Sequence, residues 1–211
     1  CAMKHVGLNV ALDPLMTFTF IGATGGLVLV VADDPGMHSS QNEQDSRNLA
    51  RFARIPLLEP SDSQEAYDMT RAAFELSETF KVPVGVRMTT RTSHSSSLVR
   101  LETDPAPPPE RIPYVKNVQQ RVAAPACARP MRLQAEERTL RLRAAAETSP
   151  FNRAEEGDPR LGFVTSAVAY TYVKEVFPEF RVLKLGFSLP LPIERVRAFA
   201  DSVQRLVVVE E

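Results

Sequence analysis

Apolar residues along this chain come in two rhythms. One is the short unbroken run: Leu27-Val28-Leu29-Val30-Val31-Ala32, Val84-Gly85-Val86, and the briefer Ile55-Pro56-Leu57-Leu58 between them. Such runs read as strands buried on both faces, the parallel kind that helices cover. The other rhythm is the three- and four-residue spacing of a helix. It places Leu8, Leu12, Leu15, Met16 and Phe20 on one face, then Leu49, Phe52 and Ala53, then Ala66, Met69, Ala73, Leu76 and Phe80. The predicted order is a strand over 2–6, a helix opening at Gly7-Leu8-Asn9 with Asn9 or Gly7 as its cap, and a turn through Gly22-Ala23-Thr24-Gly25-Gly26. The strand 27–32 follows, then a helix over 44–54, a short strand over 55–60, a helix running to Phe80 and a strand over 84–88. Asp62 or Ser61 caps the long helix, with Gln64 or Glu65 as the reciprocal partner of a capping box. The glycines at 22–26 precede their strand instead of following it, so they do not form a dinucleotide fingerprint.

From Asp104 the pattern changes. Pro105-Ala106-Pro107-Pro108-Pro109 reads as a stiff extended linker. Residues 113–122 read as extended chain and 123–130 as a loop. Residues 132–147 read as a solvated bridging helix with alternating Arg and Glu, burying only Leu133, Leu140, Leu142 and alanines. A separate alternation begins at Leu161: strand 162–165, a helix capped by Ser166, strand 181–185, a loop at Leu189-Pro190-Leu191-Pro192, a helix through Val196 and Phe199, and strand 206–209. That β-α-β-α-β order implies a parallel sheet with right-handed crossovers. The expected fold class is α/β, divided into residues 1–103, a connector over 104–159 and a final unit over 160–211.

Bulk composition narrows the function classes. The chain has 211 residues, 44% hydrophobic and 24% charged, enough to bury a core. Its 25 basic and 26 acidic residues leave a net charge of -1, which argues against a nucleic-acid partner. No apolar run reaches the length of a membrane span, and CAMKHVGLNV lacks the layout of a signal peptide. Cys1 and Cys127 are far apart and form no Cys-x-x-Cys, so they frame neither zinc nor an iron–sulfur cluster, and a reduced, cytoplasmic setting is expected. The start at Cys1 and the stop just after Leu206-Val207-Val208-Val209 suggest a fragment of a longer polypeptide.

Polar chemistry concentrates where strands end. The run Leu27 to Ala32 breaks into Asp33-Asp34-Pro35-Gly36 and then Met37-His38-Ser39-Ser40-Gln41-Asn42-Glu43-Gln44-Asp45. In parallel α/β folds, sites lie just past the carboxyl ends of strands. The strand 84–88 ends similarly, in Thr89-Thr90-Arg91-Thr92-Ser93-His94-Ser95. Lys4 and His5 stand before Gly7 and Asn9 at a strand-to-helix junction, which offers N–H groups to an anion. Two readings stay open. In one, Lys4, His5, Gly7, Asn9, His38, Ser39, Ser40 and Gln41 line a substrate and cofactor cleft. In the other, the loop carries capping residues, Lys4 is a surface lysine and His5 a packed one. Gln44, Asp45 and Arg47 read as cap and ion-pair residues that hold the loop, and Arg91 and His94 as a solvated loop.

The segments MKHVGLNVALDPLM, GGLVLVVADDPGMHSSQNEQDSR and ARIPLLEPSDSQEAYDM, with LGFVTSAVAYTYVKEVFP, VLKLGFSLPLP and LVVVEE near the far end, resemble the larger subunits of indolepyruvate:ferredoxin oxidoreductases. These form a branch of the thiamine-diphosphate-dependent 2-oxoacid:ferredoxin oxidoreductases. The resemblance weakens between about 103 and 135. It implies that residues 1–103 are the later part of a pyrimidine-binding-type domain and 160–211 a transketolase C-terminal-like domain. It implies oxidative decarboxylation of aryl 2-oxoacids to acyl-CoA with ferredoxin as acceptor, a smaller (beta) partner subunit, coenzyme A and an oligomer. In the full-length enzyme the cofactors would be thiamine diphosphate with magnesium and 4Fe–4S clusters. The magnesium motif and the cluster cysteines have no match here. Nor does the glutamate that activates the pyrimidine ring, which the resemblance places upstream of Cys1, so no catalytic residue is assignable and the fragment alone is expected to be inactive. A transketolase-like enzyme and a non-catalytic subunit-association module are the rival readings.

Overall fold

The computed structural model describes residues 1–102 and 113–211. The chain opens with strand β1 (Ala2–Lys4) and turns into helix α1 (His5–Val10), then α2 (Leu12–Ile21). Lys4 is the extended residue before α1, so the helix starts earlier than expected and Asn9 and Gly7 lie inside it instead of capping it. After the glycine turn come β2 (Val28–Asp33), α3 (Ser46–Ala53), β3 (Leu57–Leu58), α4 (Ser63–Phe80) and β4 (Val84–Thr89). The capping box forms as read: Asp62 accepts from the Glu65 N–H at 2.8 Å, and Glu65 reaches back to the Ser61 N–H at 2.9 Å. The segment after β4 is not a loop. Its Thr90–His94 stretch coils into one helical turn, α5. The expected proline linker at 105–109 and the domain boundary at 103/104 lie outside the described residues.

The next stretch departs furthest from expectation. Residues 113–122 are not all extended: Asn117 caps a turn of helix, α6 (Val118–Arg121), accepting from the Gln120 N–H. Helix α7 (Pro125–Thr148) begins well before Arg132. Pro125 sits in its first turn, where a missing N–H costs nothing, while Pro130 removes one bond further in. Nor is α7 a solvated bridge. Met131, Ala135, Arg138, Leu142 and Ala146 form a buried stripe, whereas Leu133 and Leu140 face outward.

Then follow β5 (Asn152–Glu155), β6 (Asp158–Ser166), α8 (Ala169–Val176), β7 (Phe180–Leu185), β8 (Phe187–Leu189), α9 (Ile193–Asp201) and β9 (Leu206–Val209). Val168, not Ser166, occupies the cap position of α8.

Two sheets result. The first runs β1-β2-β4-β3-β8, parallel except for β8. The second runs β5-β7-β6-β9, parallel except for β5. The predicted parallel strands of the final unit, β6, β7 and β9, are all present. Strands β5 and β8 were not predicted because each is short and neither carries a long apolar run.

β8 joins the sheets. The chain leaves β7, passes Gly186 and enters the other sheet. A Cβ at Gly186 would lie 2.7 Å from the Phe151 oxygen and 2.6 Å from Met69 Cε, so only glycine fits the crossing. The buried Asn152 side chain donates to Ala146 O and Phe187 O and accepts from the Phe187 N–H. The Glu59 N–H donates to Gly186 O at 2.8 Å. Further along, the buried Lys184 ammonium donates to Ser61 at 2.6 Å, pairs with Glu65 and lies 4.4 Å from the Tyr170 ring centre, tying β7 to the start of α4.

Candidate active site

The polar face predicted from the sequence forms at the carboxyl ends of β1, β2 and β4, where Asp33 and Asp34, both buried, divide the work. Asp34 folds the loop back on itself. It accepts from the His38 N–H at 3.1 Å, the Ser39 N–H at 2.8 Å, the Ser40 hydroxyl at 2.7 Å and the Thr90 hydroxyl at 2.7 Å. Bonds from the Ser39 N–H and then the Ser40 and Thr90 hydroxyls favour the ionised form and hold this carboxyl far below its usual range. Gly36 and Met37 take the positive φ values the tight turn requires, 77° and 55°.

Asp33 faces the other way. It accepts from the Ser46 N–H and hydroxyl, which fixes the start of α3 against β2, and from Arg87 Nε at 2.6 Å. Arg87, on β4, also reaches Glu59 at 3.0 Å and the Glu211 main-chain oxygen at 3.3 Å. Arg87, Asp33 and Glu59 are almost fully buried. Burial alone would lower the Arg87 guanidinium, but the Glu59 and Asp33 charges outweigh it and hold it above its usual value. Ser188 on β8 donates to Glu59 at 2.6 Å, which draws the sheet joint into the same network. None of Asp33, Glu59 and Arg87 was singled out as a site residue. A charged residue within each of two greasy strands, Glu59 and Arg87, was the available signal.

The eight predicted cleft residues separate into groups. Lys4 does reach the loop: its ammonium donates to Ser40 Oγ at 2.6 Å and to Ser39, and lies 3.7 Å from Asp34. His38, Ser39 and Gln41 are exposed and face solvent above that scaffold. Asn9 donates to Gln44 at 3.1 Å, bracing the loop's far arm. His5 is buried, with both ring nitrogens unpartnered, and faces the interior instead of the loop. Gly7 lets α1 close on Met3: a Cβ there would come within 2.9 Å of Met3 Cβ. As read from the sequence, Asp45 caps α3 through the Arg47 N–H and pairs with the Arg47 guanidinium, which reaches on to Glu210 at 2.5 Å.

At the loop, Asp33, Glu43, Arg87 and Glu211 among others bound a recess of about 50 Å³, too small for a cofactor. Arg47 and Glu59 also line a cavity of about 280 Å³ shared with residues of β6, β8 and β9.

Residues 23–157 match the family model described as pyruvate flavodoxin/ferredoxin oxidoreductase, thiamine diphosphate-binding. The chain belongs to this family. Among relatives, it is 40% identical over 213 residues to indolepyruvate oxidoreductase subunit IorA of Archaeoglobus fulgidus, covering 99% of this chain and 34% of that protein. The IorA subunit of Methanothermobacter thermautotrophicus is 44% identical over 215 residues, 99% of this chain and 35% of that one. The sequence-based likeness to indolepyruvate:ferredoxin oxidoreductase larger subunits therefore holds. The chain spans about a third of the length of these curated relatives. A solved 2-oxoglutarate:ferredoxin oxidoreductase from Magnetococcus marinus, with 2-oxoglutarate, coenzyme A and succinyl-CoA bound, superimposes with a TM-score of 0.70 at 14% identity, covering 98% of this chain and 45% of that one. At that identity the likeness concerns the fold, and the expected α/β class of this oxidoreductase family is the observed one. No helix among the described residues is long and apolar enough to cross a membrane.

Proposed function

We propose that this chain forms one wall of the thiamine diphosphate cleft in the larger subunit of an indolepyruvate:ferredoxin oxidoreductase. The whole enzyme would oxidatively decarboxylate aryl 2-oxoacids to acyl-CoA and pass the electrons to ferredoxin. The observation that carries the reading is the Asp34-centred loop, which presents His38, Ser39 and Gln41 to solvent at the carboxyl ends of parallel strands. The residues present do not fit the whole cofactor. Glu59, the fully buried glutamate of the network, is consumed by Arg87 and Ser188, and the recess beneath the loop is too small for the cofactor. The activating glutamate, the magnesium ligands and the 4Fe–4S clusters would come from other parts of the polypeptide, and a smaller subunit would complete the assembly. In this reading residues 1–103 are the later part of the pyrimidine domain, 104–159 a connector and 160–211 the following α/β unit. The cofactor supplies the carbanion chemistry, while Lys4 and Asp34 hold the loop so that His38 is aimed across the cleft.

Isothermal titration of thiamine diphosphate with magnesium should show binding to the full-length enzyme and none at micromolar levels to this chain alone; micromolar binding by the isolated chain would refute the wall model. In the full-length enzyme His38→Ala should lower kcat/KM for indolepyruvate by roughly 100-fold, the scale of losing one donor to developing charge. Unchanged turnover would remove His38 from the site.

A further inference from the structure

The opposite edge of the first sheet, at the amino ends of β2 and β4, holds a larger cleft of about 410 Å³. A six-residue strand separates the two faces by about 20 Å. Helices α2 and α4 end here, and α6 and α7 close the sides. Arg138 of α7, only 6% exposed, reaches in from below. Its Nη1 donates to Thr19 O at 2.9 Å and Lys81 O at 3.1 Å, so it caps the carbonyl ends of both helices. Among the described residues no carboxylate lies within salt-bridge distance of this guanidinium. Every other buried arginine or lysine described above has one: Arg87 has Asp33 and Glu59, and Lys184 has Glu65. Burial, and then the neighbouring Arg141 charge, push the Arg138 guanidinium below its usual value.

Among the described residues, three more cations, Lys81, Arg121 and Arg141, line the same cleft against one acid, Glu137. The Arg141 guanidinium stands 6.0 Å from the Phe80 ring centre, and Ile21 continues the apolar wall. A surplus of three positive charges, one of them desolvated and without a carboxylate, calls for an anion. The aromatic wall beside it calls for an apolar body attached to that anion.

We propose that this cleft binds a phosphomonoester, its phosphate between Arg138, Arg141 and Lys81 and its apolar part on Phe80 and Ile21. The site is separate from the cofactor face and does not depend on the functional reading given above.

The test is titration of sodium phosphate and of phenyl phosphate into the intact protein without added thiamine diphosphate, with the rim substitutions reporting which face takes up the probe. Arg138 also caps two helices, so the rim residues are the ones substituted. Phenyl phosphate should bind about tenfold more tightly than inorganic phosphate. Arg141→Gln and Lys81→Gln should each weaken it about tenfold, equivalent to ~1.4 kcal/mol, and Arg160→Gln, an exposed side chain at the start of β6 in the other sheet, should leave it unchanged. No binding, equal affinity for both probes, or equal loss in all three variants would overturn the proposal.

Discussion

At the residue scale, two adjacent aspartates at the end of one strand serve different masters. Asp34 shapes the loop that carries His38, while Asp33 locks α3 and shares Arg87 with Glu59. The latter pairing is sensitive because each ion is nearly dry. Attraction between buried charges offsets their loss of hydration only when all partners are present. Arg87→Leu leaves Asp33 and Glu59 as buried carboxylates without their cation. It should destabilise the protein by about 3–5 kcal/mol in urea denaturation, and a loss under ~1 kcal/mol would mean that water reaches the cluster. The polar loop was legible in the sequence because runs of hydroxyls and amides after an apolar strand have few other uses. The Arg87 network was not. Its members are 28 and 54 residues apart in sequence, and only the β2-β4-β3 order makes them neighbours. The inward turn of His5 was hidden for a related reason: sequence gives the junction, not which side of it the ring takes.

At the element scale, α7 is the clearest lesson. Its arginines and glutamates give it the look of a solvated rod, with Leu133, Leu140, Leu142 and alanines as its anchors. The structure buries Leu142 and Ala135 as read, adds Met131, and turns Leu133 and Leu140 outward. A charged side chain, Arg138, completes the inward stripe because two helix ends supply carbonyls for it, so a hydrophobic count along the helix picks the wrong face. Leu142→Ala should therefore cost about 2–5 kcal/mol, the range for a buried leucine, while Leu133→Ala should stay within about 0.5 kcal/mol. Chemical denaturation of both variants decides between the two faces. Helices α3 and α4 were easier to read, since strong caps at Asp45 and Asp62 mark their starts. Strands β5 and β8 were the hardest, being short and held mainly by Asn152 and by the strand each one meets.

At the scale of the whole molecule, the two sheets share a strand connection and two buried polar clusters. In chain order β8, the edge strand of the first sheet, falls between β7 and β9 of the second, and Lys184 and Ser188 donate from the second half of the chain to Glu65 and Glu59 of the first. Unfolding one sheet would expose both clusters, so the two should melt together. Calorimetry should give one transition whose calorimetric and van't Hoff enthalpies agree; two resolved transitions would show the sheets to be independent. The sequence did reveal the parallel α/β class and the strand sequence β6, β7, β9. It did not reveal this joint, because nothing in Phe187-Ser188-Leu189 says which sheet it will pair with.

The crossing at Gly186 also bears on how such proteins exchange parts. Domain shuffling joins pieces at linkers, on the assumption that each piece carries its own sheet. A chimera that takes residues 160–211 from a relative imports a strand of the first sheet along with most of the second, leaving β5 behind. It must match Leu57 and Leu58 across the β3–β8 ladder and Asn152 across the joint. Recombination between members of this family should succeed when both sides of that ladder come from one parent, so its inheritance unit is longer than either sheet.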